Sequence, residues 1–319
     1  MLAGGSSGSG AARAPAGFSF DVVGDIGMSP AASATLSAIG RSRPSFLLAI
    51  GDLSYNGPNS APGWCALVKQ RLGKTPVEIV SGNHEDDTGG DGKIDTFVRC
   101  LPDRLHSHGA YGKQYYFDYG GLARFIIVSP SVTIDGKNYY YGVGRPEYRW
   151  LQKTIEDARA AHIPWVIVSM HKNCISVGEY YCQVYQDIFS LLVKEKVDLV
   201  LHGHDHIYQR SHQLAPSGEC PTVVVDEFNP ACIDDSGADG RYPKGKGLVD
   251  VIVGTGGAPL YPTNAKDPEA GYAVTYMGKN RQPRHGFLRV TVTRTRLDAS
   301  FVGTTSTSTF TDRFTIAQR

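Results

Sequence analysis

Six runs of apolar, largely β-branched residues punctuate the first two-thirds of the chain: FSFDVVGD, FLLAIGD, VEIVSGN, ARFIIVSP, PWVIVSMH and VDLVLHGH. Several are near-continuous rather than alternating, the pattern of strands covered on both faces. Helical spacing lies between them. SPAASATLSAIG follows the first run, with Ser29 placed as N-cap and Pro30 at the first helical position, where a missing N–H costs nothing. RPEYRWLQKTIEDARAA precedes the fifth run, and CQVYQDIFSLLVKEK precedes the sixth. After Gly247 the pattern changes. GLVDVIVGTGG, YAVTYMG, HGFLRVTVT, RLDASFVGT and FTDRFTI read as strands joined by Gly-, Asn- and Pro-rich turns with no helix between them. They are expected to form a second, mixed or antiparallel sheet packed on the first, in one α/β (α+β) domain. The pattern shows no internal repeat and no linker after residue 17. Residues 1–16, MLAGGSSGSGAARAPA, are read as a flexible leader, and 17–319 as a single domain. The leader lacks the roughly 7–15-residue apolar core of a signal peptide.

Composition narrows the classes. Of 319 residues, 41% are apolar, enough to bury a sizeable core, and the formal net charge is +1. That charge gives no argument for nucleic acid or membrane as a partner. No stretch approaches the roughly 18 uninterrupted apolar residues of a membrane span. The 6 cysteines contain no C-x-x-C pair, so a zinc ribbon is not indicated. Cys174/Cys182 and Cys220/Cys232 are close in sequence and suggest disulfides in loops, leaving Cys65 and Cys100 as the third pair by elimination. Disulfides imply a secreted or periplasmic protein; six reduced thiols in a cytosolic enzyme are the alternative reading.

The chemistry sits where the apolar runs end. The first run ends in Gly24-Asp25-Ile26-Gly27, the second in Gly51-Asp52-Leu53-Ser54-Tyr55, the third in Gly82-Asn83-His84-Glu85. The fifth ends in His171, the sixth in Gly203-His204-Asp205-His206. In open α/β sheets, ligands bind beyond the carboxyl ends of strands. Five such ends collect oxygen and imidazole donors suited to Zn, Fe or Mn. His204 and His206 are two apart, which in a turn lets two imidazoles diverge toward two metals about 3.5–4 Å apart. His202 shares their parity but precedes the glycine and is read as packing within the strand.

These blocks resemble the calcineurin-like metallophosphoesterase superfamily, whose pattern is Asp, then GD, GNH, H and GHxH on successive strand ends. The likeness spans residues 20–210. Asp25-Ile26-Gly27 lacks the histidine of the usual D-x-H, while Tyr55 stands three residues past Asp52. D-x-G together with G-D-x-x-Y is similar to the purple acid phosphatases, in which a tyrosinate binds ferric iron. The resemblance implies a four-layer αββα sandwich of two mixed β-sheets flanked by helices, with the metal site at strand C-terminal ends. It also implies two metal ions: one held by Asp25, Tyr55 and His206, the other by Asn83, His171 and His204, with Asp52 bridging. A phenolate and carboxylates suit Fe(III); Asn and imidazoles suit Zn, Fe(II) or Mn.

The activity implied is hydrolysis of small-molecule phosphate monoesters by hydroxide generated on the metals. His84 is the candidate proton or hydrogen-bond donor to the leaving oxygen; its alternative is a structural histidine bonded to a carboxylate. A phosphodiesterase acting on nucleotides or lipid head groups, and a non-catalytic metal-binding protein, are the other readings. Plant-type members carry an N-terminal β-sandwich; with Asp25 this early, none is expected. They also carry a histidine pair after the strand-end histidine, absent from MHKNCISVGEYYCQVY. Lys172, Asn173, Tyr180 and Tyr181 are candidate substitutes. Gly254–Gly257 is expected to border the site. Asp205 could orient an imidazole or face solvent. Glu85–Gly92 resembles a calcium loop only by composition and is read as a solvated turn.

Overall fold

A computed structural model describes residues 17–318; the leader expected over residues 1–16 lies outside the described residues. Along the chain run β1 (Phe18–Val23), α1 (Pro30–Ser42), β2 (Leu47–Ala49), α2 (Ala61–Leu72), β3 (Val77–Ile79) and α3 (Ile94–Cys100). Next come β4 (His108–Ala110), β5 (Gln114–Tyr119), β6 (Ala123–Val128), β7 (Thr133–Ile134), β8 (Lys137–Asn138), α4 (Pro146–Ala160), β9 (Trp165–Met170) and α5 (Gln186–Lys194). Then follow β10 (Leu199–His202), β11 (Tyr208–Leu214), β12 (Ile233–Asp235), β13 (Arg241–Pro243) and β14 (Leu248–Val253). The last are β15 (Ala273–Met277), β16 (Gly286–Val292), β17 (Arg296–Gly303) and β18 (Arg313–Ala317). All six apolar runs of the first two-thirds are strands, namely β1, β2, β3, β6, β9 and β10. Ser29 caps α1, its hydroxyl accepting from the Ala32 N–H at 3.1 Å, with a proline in the first turn.

The first sheet has seven strands in the order β13-β18-β17-β16-β1-β2-β3. The second has nine, in the order β12-β11-β14-β10-β9-β6-β5-β4, with β15 paired to β11. The strands after Gly247 do not make a sheet of their own. β14 and β15 join the sheet of β9 and β10, while β16–β18 extend that of β1–β3. The reason is that β1 offers two edges: β2 pairs with one in parallel, and β16 takes the other antiparallel, from Phe18↔Val292 to Val22↔Leu288. Parallel pairing runs through β1-β2-β3 and β6-β9-β10-β14 and recurs at the far edge of the first sheet, where β13 joins β18; β6, β9, β10 and β14 are buried throughout.

The sheets face each other through aromatic side chains. Phe20 meets Phe125 edge-on at 4.9 Å, and Phe46 meets Phe117 edge-on at 5.4 Å. α1, α2 and α3 pack side by side, with α1 against β16, and α4 packs on β6, giving the order helix, sheet, sheet, helix. Three disulfides, Cys65–Cys100, Cys174–Cys182 and Cys220–Cys232, follow the expected pairing. Among the described residues no helix is long and apolar enough to cross a membrane.

Candidate metal centre

The two sheets bring their parallel strand ends together. The Gly24 N–H after β1 donates to the Val253 carbonyl of β14, and the Gly203 N–H after β10 donates to the His171 carbonyl after β9. At these ends the backbone is held in a region that L-residues rarely adopt: φ is 56° at Asp25, 49° at Asp52, 53° at Tyr55 and 69° at His204. Other loops of the chain hold such residues too, but these four fall together on one site. Two glycines make the approach close enough. A Cβ on Gly82 would lie 2.0 Å from Asp52 Oδ1, and one on Gly51, itself at φ 86°, would lie 2.6 Å from the His171 ring.

The geometry has Asp52 at its centre. Its Oδ2 is 3.1 Å from the Tyr55 hydroxyl and 3.1 Å from His171 Nε2. On the tyrosine side, the Tyr55 hydroxyl is also 2.8 Å from Asp25 Oδ1 and 2.9 Å from His206 Nε2. On the other side, Asp52, His171 and His204 offer ligand atoms within 4.8 Å of one another, all buried. Asn83 Oδ1 and His171 Nε2 are buried without a hydrogen-bond partner.

The hydrogen bonds fix which nitrogen of each ring is free. His171 Nδ1 faces the Ile50 carbonyl at 2.9 Å and His206 Nδ1 the Pro259 carbonyl at 2.8 Å, so each donates there and the neutral ring presents the Nε2 lone pair. His204 is reversed: Nε2 donates to Gln183 Oε1 at 3.1 Å, freeing Nδ1. One phenolic proton of Tyr55 therefore faces Asp25, Asp52 and His206, three acceptors that it cannot satisfy together. Converging lone pairs, two orphaned polar atoms and carbonyl-anchored imidazoles fit a cation rather than a hydrogen-bonded core.

Electrostatics agrees. Burial, then the Asp25 and Asp52 carboxylates, push the Tyr55 phenol well above its usual value, so only a cation would make it a phenolate. Burial opposes charge on Asp52, yet His171 beside it holds the carboxyl below its ordinary range. Burial likewise opposes charge on His171, but Asp52 raises it to about 9. The attraction that retains a proton on His171 in the free chain is equally available to a metal. Burial and the neighbouring His171 push His204 well down, keeping its ring neutral.

His84 stands at the rim. Its Nδ1 bonds Asp91 Oδ2, its Nε2 lies 3.7 Å from Asp52 Oδ2, and its ring is 4.4 Å from that of Tyr55. A cleft of about 530 Å³ opens beside Tyr55, His84 and His206, bordered by Met28, Gly257, Pro259 and Tyr261. Gly257 and Ala258 also donate to the Asp25 carbonyl, so the Gly254–Gly257 loop does border the site.

Several supporting residues escape sequence reasoning. Glu85 is fully buried and accepts from the backbone N–H of Asp52, Leu53 and Gly82, binding two strand ends together. Burial and Asp52 push this carboxyl up to about 8, while those N–H groups pull the other way. Asp91, Gln183 and Tyr261 are the others; Tyr261 stacks on His206 at 3.9 Å. Only Glu85, next to the GNH motif, has a local signal.

Asp205 does neither of the two things considered for it. It is buried and accepts from Ser176, Asn173, Glu179 and Tyr180, anchoring the loop after β9. That use occupies Asn173, while Lys172 donates to the Ser131 carbonyl and Tyr181 is turned to solvent. Of the four candidate substitutes for a histidine pair, only Tyr180 lies against the centre, stacked on His204 at 4.1 Å. His202 packs within its strand, between Asp250 and the Lys172 carbonyl.

Comparison with known proteins identifies the family. The profile of the calcineurin-like phosphoesterases matches residues 18–208, and the chain belongs to that family. It is 29% identical to the Fe(3+)-Zn(2+) purple acid phosphatase 12 of Arabidopsis thaliana, over 62% of this chain and 44% of that protein. It is 26% identical to a purple acid phosphatase of Glycine max, over 81% of this chain and 55% of that protein. The chain thus spans about half the length of the curated relatives it matches. Among solved structures, the yellow lupin purple acid phosphatase PPD1 superposes with a TM-score of 0.73 at 20% identity, over 95% of this chain and 54% of that one. GAP50, described as the anchor in the inner membrane complex of Plasmodium, gives 0.60 at 13% identity, over 95% and 90%.

Proposed function

We propose that this chain hydrolyses small-molecule phosphate monoesters with two metal ions, in the manner of the purple acid phosphatases. One observation carries the reading: Asp52 Oδ2 stands 3.1 Å from a member of each of two converging donor sets. Asp25, Tyr55 and His206 would hold the first metal, Asn83, His171 and His204 the second, with Asp52 shared. The anionic first set suits Fe(III) and the neutral second set Zn, Fe(II) or Mn; the Fe(3+)-Zn(2+) name of the Arabidopsis relative supports that pairing. The fold alone would not, since GAP50 shares it and is described as an anchor.

When bound, the metal pair polarises phosphoryl oxygens and yields a nucleophile from water near neutral pH. The protein's own part is positional. Glu85 ties the Asp52 and Gly82 backbones, and the Ile50, Pro259 and Gln183 oxygens aim the three imidazoles. Asp91 fixes the His84 ring through Nδ1, leaving Nε2 to donate to the leaving oxygen. The three disulfides support a secreted or periplasmic location.

The test is metal analysis with visible absorption on purified protein, repeated on Tyr55→Phe. Two metals per chain, one of them iron, with a colour lost in the variant, is expected. A colourless protein holding two zinc or manganese ions would remove the tyrosinate–iron assignment and keep the phosphoesterase. A chain that binds no metal and turns over no aryl phosphate overturns the reading.

A further inference from the structure

The segment between β9 and α5 is where the chain departs from the plant-type pattern, and the structure shows it engaged beneath one imidazole. Three independent ties hold it. Cys174–Cys182 closes it covalently. Asp205, set between His204 and His206, accepts from Ser176 Oγ at 2.5 Å, Glu179 N at 2.8 Å, Asn173 Nδ2 at 3.2 Å and Tyr180 N at 3.3 Å. Gly178 packs so tightly on that carboxylate that a Cβ would lie 2.4 Å from it. The Val177 N–H donates to Gln209 Oε1, and its carbonyl accepts from Asn264.

These ties deliver two side chains to His204 and to no other histidine. Gln183 Oε1 accepts from His204 Nε2 at 3.1 Å, and the Tyr180 ring lies flat on the imidazole, at 4.1 Å and 20°. The bond fixes the tautomer that leaves Nδ1 free, and the stack fixes the ring plane. His171 and His206 obtain the same service from backbone carbonyls, which substitution cannot remove. Of these three imidazoles His204 alone takes its hydrogen-bond acceptor from a side chain, on a loop held by a disulfide.

We propose that Gln183 and Tyr180 are positioning residues for His204, set in place by the Cys174–Cys182 loop and Asp205, and that they govern how tightly the second metal is held. The inference rests on the dinuclear reading above. It assigns the loop to the metal rather than to substrate contact. An acceptor on the far nitrogen of a ligating imidazole is worth roughly 10–100-fold in metal affinity.

The experiment is chelator competition for Zn(II) on the full chain, with Tyr55-dependent absorption reporting the first metal in the same cuvette. Gln183→Leu should weaken the second metal by roughly 10–100-fold and leave the first in place. Gln183→Glu, which keeps an oxygen acceptor, should stay near wild type. The Cys174→Ala/Cys182→Ala double variant should resemble Gln183→Leu. Activity lost in Gln183→Leu should return with excess Zn(II) at unchanged KM. Equal second-metal affinity in Gln183→Leu and wild type, or a raised KM that excess metal does not restore, overturns the proposal. A Gln183→Glu variant as weak as Gln183→Leu also overturns it, since the acceptor would then be irrelevant. Wild type holding fewer than two metals would instead fail the dinuclear reading, and the inference with it. Melting temperatures of the metal-free variants separate these outcomes from misfolding.

Discussion

His84 lines the open cleft, with one ring nitrogen engaged by the Asp91 carboxylate. Its role can be separated from metal binding because none of the three imidazole-anchoring contacts passes through it. His84→Ala is expected to lower kcat on an alkyl phosphate by about 10²–10⁴, the usual worth of a positioned proton donor. On an aryl phosphate with a good leaving group the loss should be much smaller, and metal content should be unchanged. Equal losses on both substrates would assign His84 to phosphate binding instead. At this scale the expected donors were legible because each sits at the end of an apolar run, and strand direction sends such residues to one edge. Gln183, Asp91 and Tyr261 were not, because their value comes from meeting His204, His84 and His206 across loops. Asp205 shows the limit most clearly. A carboxylate between two histidines invites a role toward them, yet its partners are a serine, an asparagine and two N–H groups some thirty residues earlier.

Elements carrying strong periodicity were read directly: α1 and α4 start within a residue of the expected position, and every apolar run forms a strand. α5 begins at Gln186, later than its pattern suggested, because the disulfide at Cys182 and the Gln183 contact hold the preceding residues in a loop. α2 and α3 were missed. α2 has Pro62 and Gly63 in its first turn, and α3 spans only 7 residues, too short for a helical period to show. Neither would be stable alone; Trp64 packs on Phe97 at 5.6 Å, and Cys65–Cys100 joins the two helices. That disulfide closes a 35-residue separation, for which chain entropy gives about 3–4 kcal/mol of stabilisation. Cys65→Ala/Cys100→Ala should therefore lose stability of that order in denaturant titration while keeping its metals and its KM. A simultaneous loss of metal would mean that α2 and α3 also support the adjoining Tyr55 and His84 segments.

Across the whole molecule, several buried carboxyl groups away from the metal centre are pushed in one direction. Burial pushes Asp21 up to about 6 despite Ser42 and Arg289. Burial and Asp103 push Glu78 up to about 8, and burial pushes Glu269 up to about 7. The sign follows from proton uptake. A carboxyl whose folded value exceeds its unfolded value, about 4, binds more protons folded than unfolded between the two. Stability therefore falls as pH rises through that interval, from about 4 toward 8, and these groups favour the folded chain at acidic pH. Exposed carboxylates with lowered values, such as Asp87 and Asp135, change charge below this interval and leave the trend within it untouched. Metal-saturated protein should accordingly melt at a higher temperature at pH 5.5 than at pH 8. Glu78 makes the cause testable, since both its carboxylate oxygens are buried without a hydrogen-bond partner. Glu78→Gln removes the charge at nearly constant shape. It should stabilise the protein at pH 8 by an amount on the order of 3 kcal/mol, change it little at pH 5, and flatten the pH dependence between. If the variant is equally destabilised at both pH values, Glu78 is held as an ion in the folded chain. The acid preference would then have to arise from the other raised carboxyl groups, Asp21 and Glu269 among them. If the molecule does behave as expected, the same burial that encloses the metal centre also fits the fold to acidic surroundings, independently of any pH dependence of the reaction.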